Sequence, residues 1–314
     1  SKTKEQKSGK KGAPTTMSLV TNLRPLHWVF KIANLKKTVD FLQNVLGMHV
    51  LRHEEFNQGC DASCNGPYQR PWSKTMIGFG PEIDHFVFEL TYNYGIRGYP
   101  KGDDLRYITI NGKDQILERA QQNGLTPIEE NGETFLEIPI DGYRVRLVNQ
   151  ETVSKDPVLS VSLNVADVAR SEDFYSNVLG LKRFDAAIGA SDAEDSRVLL
   201  GYSDEFAKLE LVQRANLKGQ AVNHEKAFGR VAFAIPEINP VVEAVATSGD
   251  KVLHAPVKLD TPGKATVEVI ILQDRDDYEI CFVGEAGFND LSKPFDGAGL
   301  IDWAVRAENG ADKL

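Results

Sequence analysis

The chain has 314 residues, 41% hydrophobic and 26% charged, with a net charge of −9 and a pI near 5.3. That length and composition suit a globular protein of roughly two domains. The acidic balance argues against a nucleic-acid partner, and no apolar run reaches the roughly 18 residues of a membrane-spanning helix.

Residues 1–22 open on the Lys-rich stretch SKTKEQKSGKKGAPTT. They read as a disordered tail or an expression remnant, with Met17 as a natural start. Leu26 to Ile32 is expected as a strand that alternates His27, Val29 and Lys31 with Trp28, Phe30 and Ile32. Leu35, Val39, Leu42 and Leu46 recur at helical spacing, and Gly47 is placed to cap that helix. Met48 to His53 is a second strand, and 57–72 is a long loop holding Cys60 and Cys64. The spacing of these two cysteines is half of a zinc site, with no second half elsewhere in the chain. With Cys281 the cysteines number three, too few for a secreted disulfide framework. They fit a reducing compartment, so a cytoplasmic protein is expected, with a mitochondrial address as the alternative. Ser73 to Phe79 and Phe86 to Tyr94 complete a β-α-β-β-β order.

In the last of these strands Phe86, Phe88, Leu90 and Tyr92 alternate with Val87, Glu89, Thr91 and Asn93. The first set should pack on helices. A glutamate in mid-strand needs water, a cation or a polar cavity, and a solvated strand face is its ordinary setting. His27 and Glu89, on strands of one unit, are expected to face the same hollow.

The unit returns. Asn44-Val45-Leu46-Gly47-Met48 reappears as Asn177-Val178-Leu179-Gly180-Leu181, and Phe88-Glu89-Leu90 as Leu209-Glu210-Leu211. Arg106 to Asn111, a helix over 113–123 and Asp141-Gly142-Tyr143 have counterparts in Arg230 to Ile235, a helix over 237–248 and Asp276-Asp277-Tyr278. Chance does not keep several elements in fixed order. The expected fold is α+β, with four βαβββ modules paired into two domains, 23–150 and 157–286. A tail over 287–314 carries one short helix near Leu300, Ile301, Trp303 and Val305.

This organisation resembles the vicinal-oxygen-chelate superfamily, and glyoxalase I within it. The phrases LHWVFKIANL, FLQNVLGM and FELTYNYG are similar to glyoxalase I, and RHEEFNQGCDASCNGPYQRPWSKTMIGFGPEIDHF to one glyoxalase-domain branch. The resemblance implies incomplete barrels that enclose cupped cavities. It implies isomerisation of the methylglyoxal–glutathione hemithioacetal, with glutathione as co-substrate. A divalent Zn, Ni or Mn ion would polarise the substrate while a carboxylate moves a proton.

Carried over residue by residue, the family's ligands fall on His27 and Glu89, then on Arg230 and Cys281 if modules one and four meet. Tyr107, Arg146, Ser160 and Glu210 occupy the same positions if modules two and three meet, a degenerate second site. Glu89 is then the catalytic base, and His27, Glu89 and Cys281 are the metal ligands that remain. A guanidinium repels a divalent cation, so Arg230 is expected to pair with Glu89 and Arg146 with Glu210. Glutathione contacts fall on Lys31 and Asn93, with Lys264 and Arg230 as further anion-binding candidates. Two readings follow: a glyoxalase with a partly degenerate metal site, or a metal-free small-anion-binding or scaffold protein. Either takes a small molecule, as a monomer or homodimer, without nucleic acid or membrane.

Overall fold

One strand, a helix and then three further strands recur through the chain, and the elements follow that order. The computed structural model describes residues 23–154, 156–185, 195–215, 218–261, 265–293 and 301–303. Module one comprises β1 (Arg24–Lys31), α1 (Leu35–Phe41), β2 (His49–Phe56), β3 (Trp72–Gly78) and β4 (Val87–Asn93). Module two comprises β5 (Leu105–Asn111), α2 (Lys113–Gln122), β6 (Ile128–Glu130), β7 (Glu133–Glu137) and β8 (Arg144–Val148). Module three comprises β9 (Val158–Asn164), α3 (Val168–Asp173), β10 (Lys182–Phe184), β11 (Ser196–Gly201) and β12 (Lys208–Gln213). Module four comprises β13 (Arg230–Ile235), α4 (Asn239–Ser248), β14 (Lys251–Asp260), β15 (Thr266–Gln273) and β16 (Glu279–Gly284), and α5 (Glu285–Leu291) follows it. Among the described residues no helix is long and apolar enough to cross a membrane.

Local chemistry marks the ends of these elements. The Asn34 side chain accepts from the backbone N–H of Lys37 at 2.9 Å, and Asp167 does the same for Arg170 at 3.0 Å. Both are N-caps at equivalent places in modules one and three. Each helix then runs into one π-helical turn, Leu42–Leu46 or Phe174–Val178. Gly47 closes the first at φ +86°, the left-handed region that favours glycine. Pro256 lies in β14, an edge strand, where a missing N–H costs least.

Two eight-stranded sheets form, in the orders β14-β15-β16-β13-β1-β4-β3-β2 and β10-β11-β12-β9-β5-β8-β7-β6. Module one therefore pairs with four, and two with three. The sequence halves 23–150 and 157–286 are halves of the chain, not of the sheets, because each sheet takes one module from each half. β1 meets β13 antiparallel, with His27 opposite Ala232, and β4 parallel, with Val29 opposite Glu89. A bulge at Leu26 shifts this register and turns Leu26 to the inner side of the sheet, where it packs with Ala232, Ala234 and Ile271.

The main core draws on all four modules and gathers Trp28, Phe30, Phe88, Leu90, Ile108, Val161, Phe233 and Ile280 with the helices. The outer face of β4 packs as its alternation predicts. Two matching clasps join the sheets. The Asp141 carboxylate accepts from the Ala33 N–H at 3.0 Å, and the Tyr143 hydroxyl donates to the Lys31 carbonyl at 2.7 Å. In the other half Asp276 accepts from the Ala166 N–H at 3.1 Å, and the Tyr278 hydroxyl donates to the Asn164 carbonyl at 2.7 Å. The Asp-x-Tyr repeat seen in the sequence is thus a strand-end lock. Tyr143 also lies against Phe30, with ring centres 4.7 Å apart.

Three sequence expectations shift. β2 runs on to Phe56 because Glu54 faces Lys74 across the ladder. α5 forms directly after β16 and buries Phe288 and Leu291, a helix that the polar composition hides. Of the expected helix near Leu300, only 301–303 are described, with Ile301 buried and Trp303 packed on the core. The expected tail over 1–22 lies outside the described residues.

Tyr143→Phe and Tyr278→Phe should each lower the unfolding free energy by about 1–3 kcal/mol in urea titrations, since buried carbonyls lose their donor. Unchanged midpoints in both variants would show that the clasps hold nothing.

Candidate functional site

The ladder registers decide which side chains share a face. Met76 stands opposite Glu89, Lys74 opposite Thr91, and Arg52 and Glu54 opposite Met76 and Lys74. Ala232 stands opposite Cys281 and Arg230 opposite Glu279. All of these share the inner face of the first sheet with His27, Lys31 and Glu89. The sequence expectation that His27 and Glu89 face one hollow is met: His27 Nε2 lies 3.3 Å from Glu89 Oε2, and both residues are buried.

Burial lowers the His27 pKa to about 3, so the imidazole is neutral over the physiological range. Its Nδ1 is buried without a hydrogen-bond partner. The other charges of the hollow pair among themselves. Arg52 Nε reaches Glu82 Oε1 at 2.5 Å, a second Arg52 nitrogen binds Glu54, and Lys74 Nζ lies 3.4 Å from Glu54 Oε2. Arg230 does not pair with Glu89 as the sequence reading expects. Its Nε donates to Glu279 Oε2 at 2.8 Å, and its Nη2 donates to the same oxygen and, at 3.0 Å, to the Ala62 carbonyl. The reason is register: Glu279 is its direct neighbour on β16.

A metal fits this set poorly. His27 and Glu89 are competent donors at adjacent positions. The third position holds a permanently charged guanidinium, and the fourth holds Cys281, whose thiol is pushed up to about 12 by burial. Among the described residues no group of three or more His, Cys, Asp and Glu is arranged to hold an ion.

The glutathione candidates also find internal partners. Lys31 Nζ donates to the Phe228 carbonyl at 2.6 Å and sits 3.5 Å from the Phe228 ring centre, and burial lowers its pKa to about 7. The Asn93 amide bonds Asn65 at both ends and Tyr99 Oη at 2.9 Å, so it anchors the loop 57–71. Lys264 lies outside the described residues.

Loop 57–71 covers the hollow. Cys60 and Cys64 are joined to each other in a local disulfide, not set out as half a zinc site and not part of a framework. Between them Ala62 is fully buried. Outside this cover a cavity of about 510 Å³ is lined by Phe56, Trp72, Lys74, Cys60, Cys64 and Lys258, among others.

In the second sheet Tyr107, Arg146, Ser160 and Glu210 are all buried, on strands β5, β8, β9 and β12. Arg146 does not pair with Glu210 as expected. It donates to Glu133 Oε1 at 2.7 Å, Tyr107 Oη at 3.0 Å and Thr109 Oγ1 at 3.1 Å, while Glu210 takes Arg197 at 3.2 Å. Burial raises the Tyr107 pKa.

Sequence reasoning missed Arg52, Glu54, Glu82 and Glu279. Arg52 and Glu54 alternate on one strand, as Glu279 does with Cys281, and that parity was readable. Glu82 comes from the turn after Pro81, and no periodicity announces it.

Residues 24–153 match the family model of the Glyoxalase/Bleomycin resistance protein/Dioxygenase superfamily, and residues 167–291 that of the glyoxalase domain-containing protein 4-like C-terminal domain. Glyoxalase domain-containing protein 4 of Mus musculus is 46% identical over 289 residues, 91% of this chain and 93% of that protein. Glyoxalase 1 of Caenorhabditis elegans is 40% identical, covering 86% of this chain and 91% of that protein. The crystal structure of glyoxalase I from Zea mays superposes with a TM-score of 0.70 at 26% identity, over 85% of this chain and 94% of that one.

The lowered His27 pKa makes stability depend on acid. The unfolded chain takes up the His27 proton below pH 6.5, whereas the folded chain resists it down to about 3. Stability from this group is therefore full above 6.5 and lost as pH falls towards 3. His27→Gln should remove up to about 1.4 kcal/mol per pH unit from the slope in that window, read by urea unfolding at stepped pH. A variant with the parent slope would place His27 in water.

Proposed function

The chain belongs to the glyoxalase domain-containing protein 4 family of the glyoxalase superfamily, and from that premise we propose that its first cup isomerises the hemithioacetal of methylglyoxal and glutathione. The observation that carries this reading is Glu89. Of the carboxylates named on that inner face, Glu54, Glu82 and Glu279 each meet an arginine, whereas Glu89 meets a neutral imidazole. A carboxylate so placed is free to move protons.

Glu89 takes the proton from the hydroxyl-bearing carbon of the hemithioacetal and returns it to the neighbouring carbon. The reaction shifts two hydrogens within one molecule and needs no external oxidant. His27 holds the Glu89 carboxylate in line. The positive charge of Arg230, which reaches His27 and Cys281, stands where the enediolate develops negative charge. No step runs through a metal, because the donor set does not make one.

The same Arg230 supports a second reading, binding of a small anion without turnover. Formation of lactoylglutathione, followed by absorbance, separates the two. Glu89→Gln should lower the rate by about 10²–10⁴. Equal rates in parent and variant would end the enzymatic reading.

Protein purified without chelator should carry well under one equivalent of Zn, Ni or Mn by elemental analysis. Arg230→His with Cys281→Glu supplies the four donors that the family resemblance implies, and should bring the metal content towards one equivalent. A stoichiometric ion in the parent chain would overturn the metal-free mechanism.

A further inference from the structure

The second cup is not merely a worn copy of the first. Five of its polar atoms are buried without a hydrogen-bond partner: Arg146 Nη2, Arg197 Nη2, Ser160 Oγ, Ser162 Oγ and Glu210 Oε2. Native interiors leave few such atoms, and each calls for water, an ion or a ligand. These five share one surface. Ser160 faces Thr109, which faces Arg146, and Ser162 lies between Tyr107 and Glu210. Leu199 faces Glu210, and Arg197 is two residues along the same strand, so it points to the same side.

The rest of each side chain is fixed. Arg146 is held by Thr109, Tyr107 and Glu133, and Arg197 by Glu210. The free atoms are therefore aimed rather than loose. A cavity of about 290 Å³ has Tyr107, Glu133 and Phe135 in its wall. Tyr107 and Glu133 belong both to this wall and to the Arg146 network, so the cavity adjoins that network.

The inventory of unspent groups specifies the occupant. Two guanidinium nitrogens, one each from Arg146 and Arg197, offer charge-assisted N–H donors, the kind of group that suits a carboxylate. Glu210 Oε2 offers an acceptor, and a bare carboxylate beside it would be repelled. A hydroxyl on the same molecule removes that conflict by donating to Glu210. The two serine hydroxyls can donate or accept. We propose that the second cup binds a small hydroxycarboxylate, with its carboxylate on Arg146 and Arg197 and its hydroxyl on Glu210. This does not depend on chemistry in the first cup, whose residues are different ones.

Calorimetry and thermal unfolding of the full chain with glycolate, acetate and ethylene glycol test it. Glycolate should bind and raise the melting temperature. Acetate should bind at least about tenfold more weakly, and ethylene glycol should have no effect. Arg197→Gln should weaken glycolate by about tenfold or more, and Ser162→Ala gives a second, milder variant should the first fail to fold. Glu210→Gln should narrow the preference for glycolate over acetate, and Glu89→Gln should leave glycolate binding unchanged. Silence towards glycolate would mean that water alone fills the cup. Equal binding in the parent, Arg197→Gln and Ser162→Ala, or loss of binding in Glu89→Gln, would place the ligand elsewhere and overturn the assignment.

Discussion

The lock that holds this protein together is a tyrosine hydroxyl on the last carbonyl of a strand, backed by an aspartate on the next free N–H. It occurs twice, as Asp141 with Tyr143 and as Asp276 with Tyr278, each from one sheet onto the other. The strands it clasps, β1 and β9, lie in the middle of their sheets, and each also carries a residue of a cup. The same contacts that seal the common core therefore set the depth and direction of His27 and Ser160. A buried polar contact of this kind specifies one arrangement, since any slip would leave donors and carbonyls unpaired in an apolar setting.

Within the first cup, charge pairing governs chemistry. Arg52, Lys74 and Arg230 neutralise Glu54, Glu82 and Glu279 where they stand. Burial keeps His27 uncharged, so Glu89 is left with a partner that does not cancel it. Arg230 stands at the third donor position that the family resemblance implies, where a guanidinium repels a cation, and its own charge is met by Glu279. The loop over the cup is tied to the same arginine through the Ala62 carbonyl, so the cover and the floor of the hollow are one connected structure.

The two cups show how little the fold alone says about function. Equivalent positions hold His27, Glu89, Arg230 and Cys281 in one, and Ser160, Glu210, Tyr107 and Arg146 in the other. The first set leaves a carboxylate beside a neutral ring. The second leaves guanidinium and hydroxyl groups unspent. One scaffold thus presents a carboxylate beside a neutral imidazole in one cup and unpaired guanidinium and hydroxyl groups in the other, joined by a shared core.

Much of this was legible in the chain before any coordinates. The repeated Asn-Val-Leu-Gly phrase, the match of Phe88-Glu89-Leu90 to Leu209-Glu210-Leu211 and the Asp-x-Tyr segments marked the four modules, Gly47 its helix end, and alternation the face on which His27 and Glu89 meet, because these are local properties of spacing and backbone. Ion partners were another matter. Arg230 chose Glu279 over Glu89, Arg146 chose Glu133 over Glu210, and Glu82 arrived from a turn, because partner choice rests on registers between strands and on side-chain reach. Lys31 and Asn93 read as ligand contacts, yet both are taken by the protein's own carbonyls and amides. Period two tells which side of a strand a residue is on; only the packed sheets decide how deep it lies and what it finally touches.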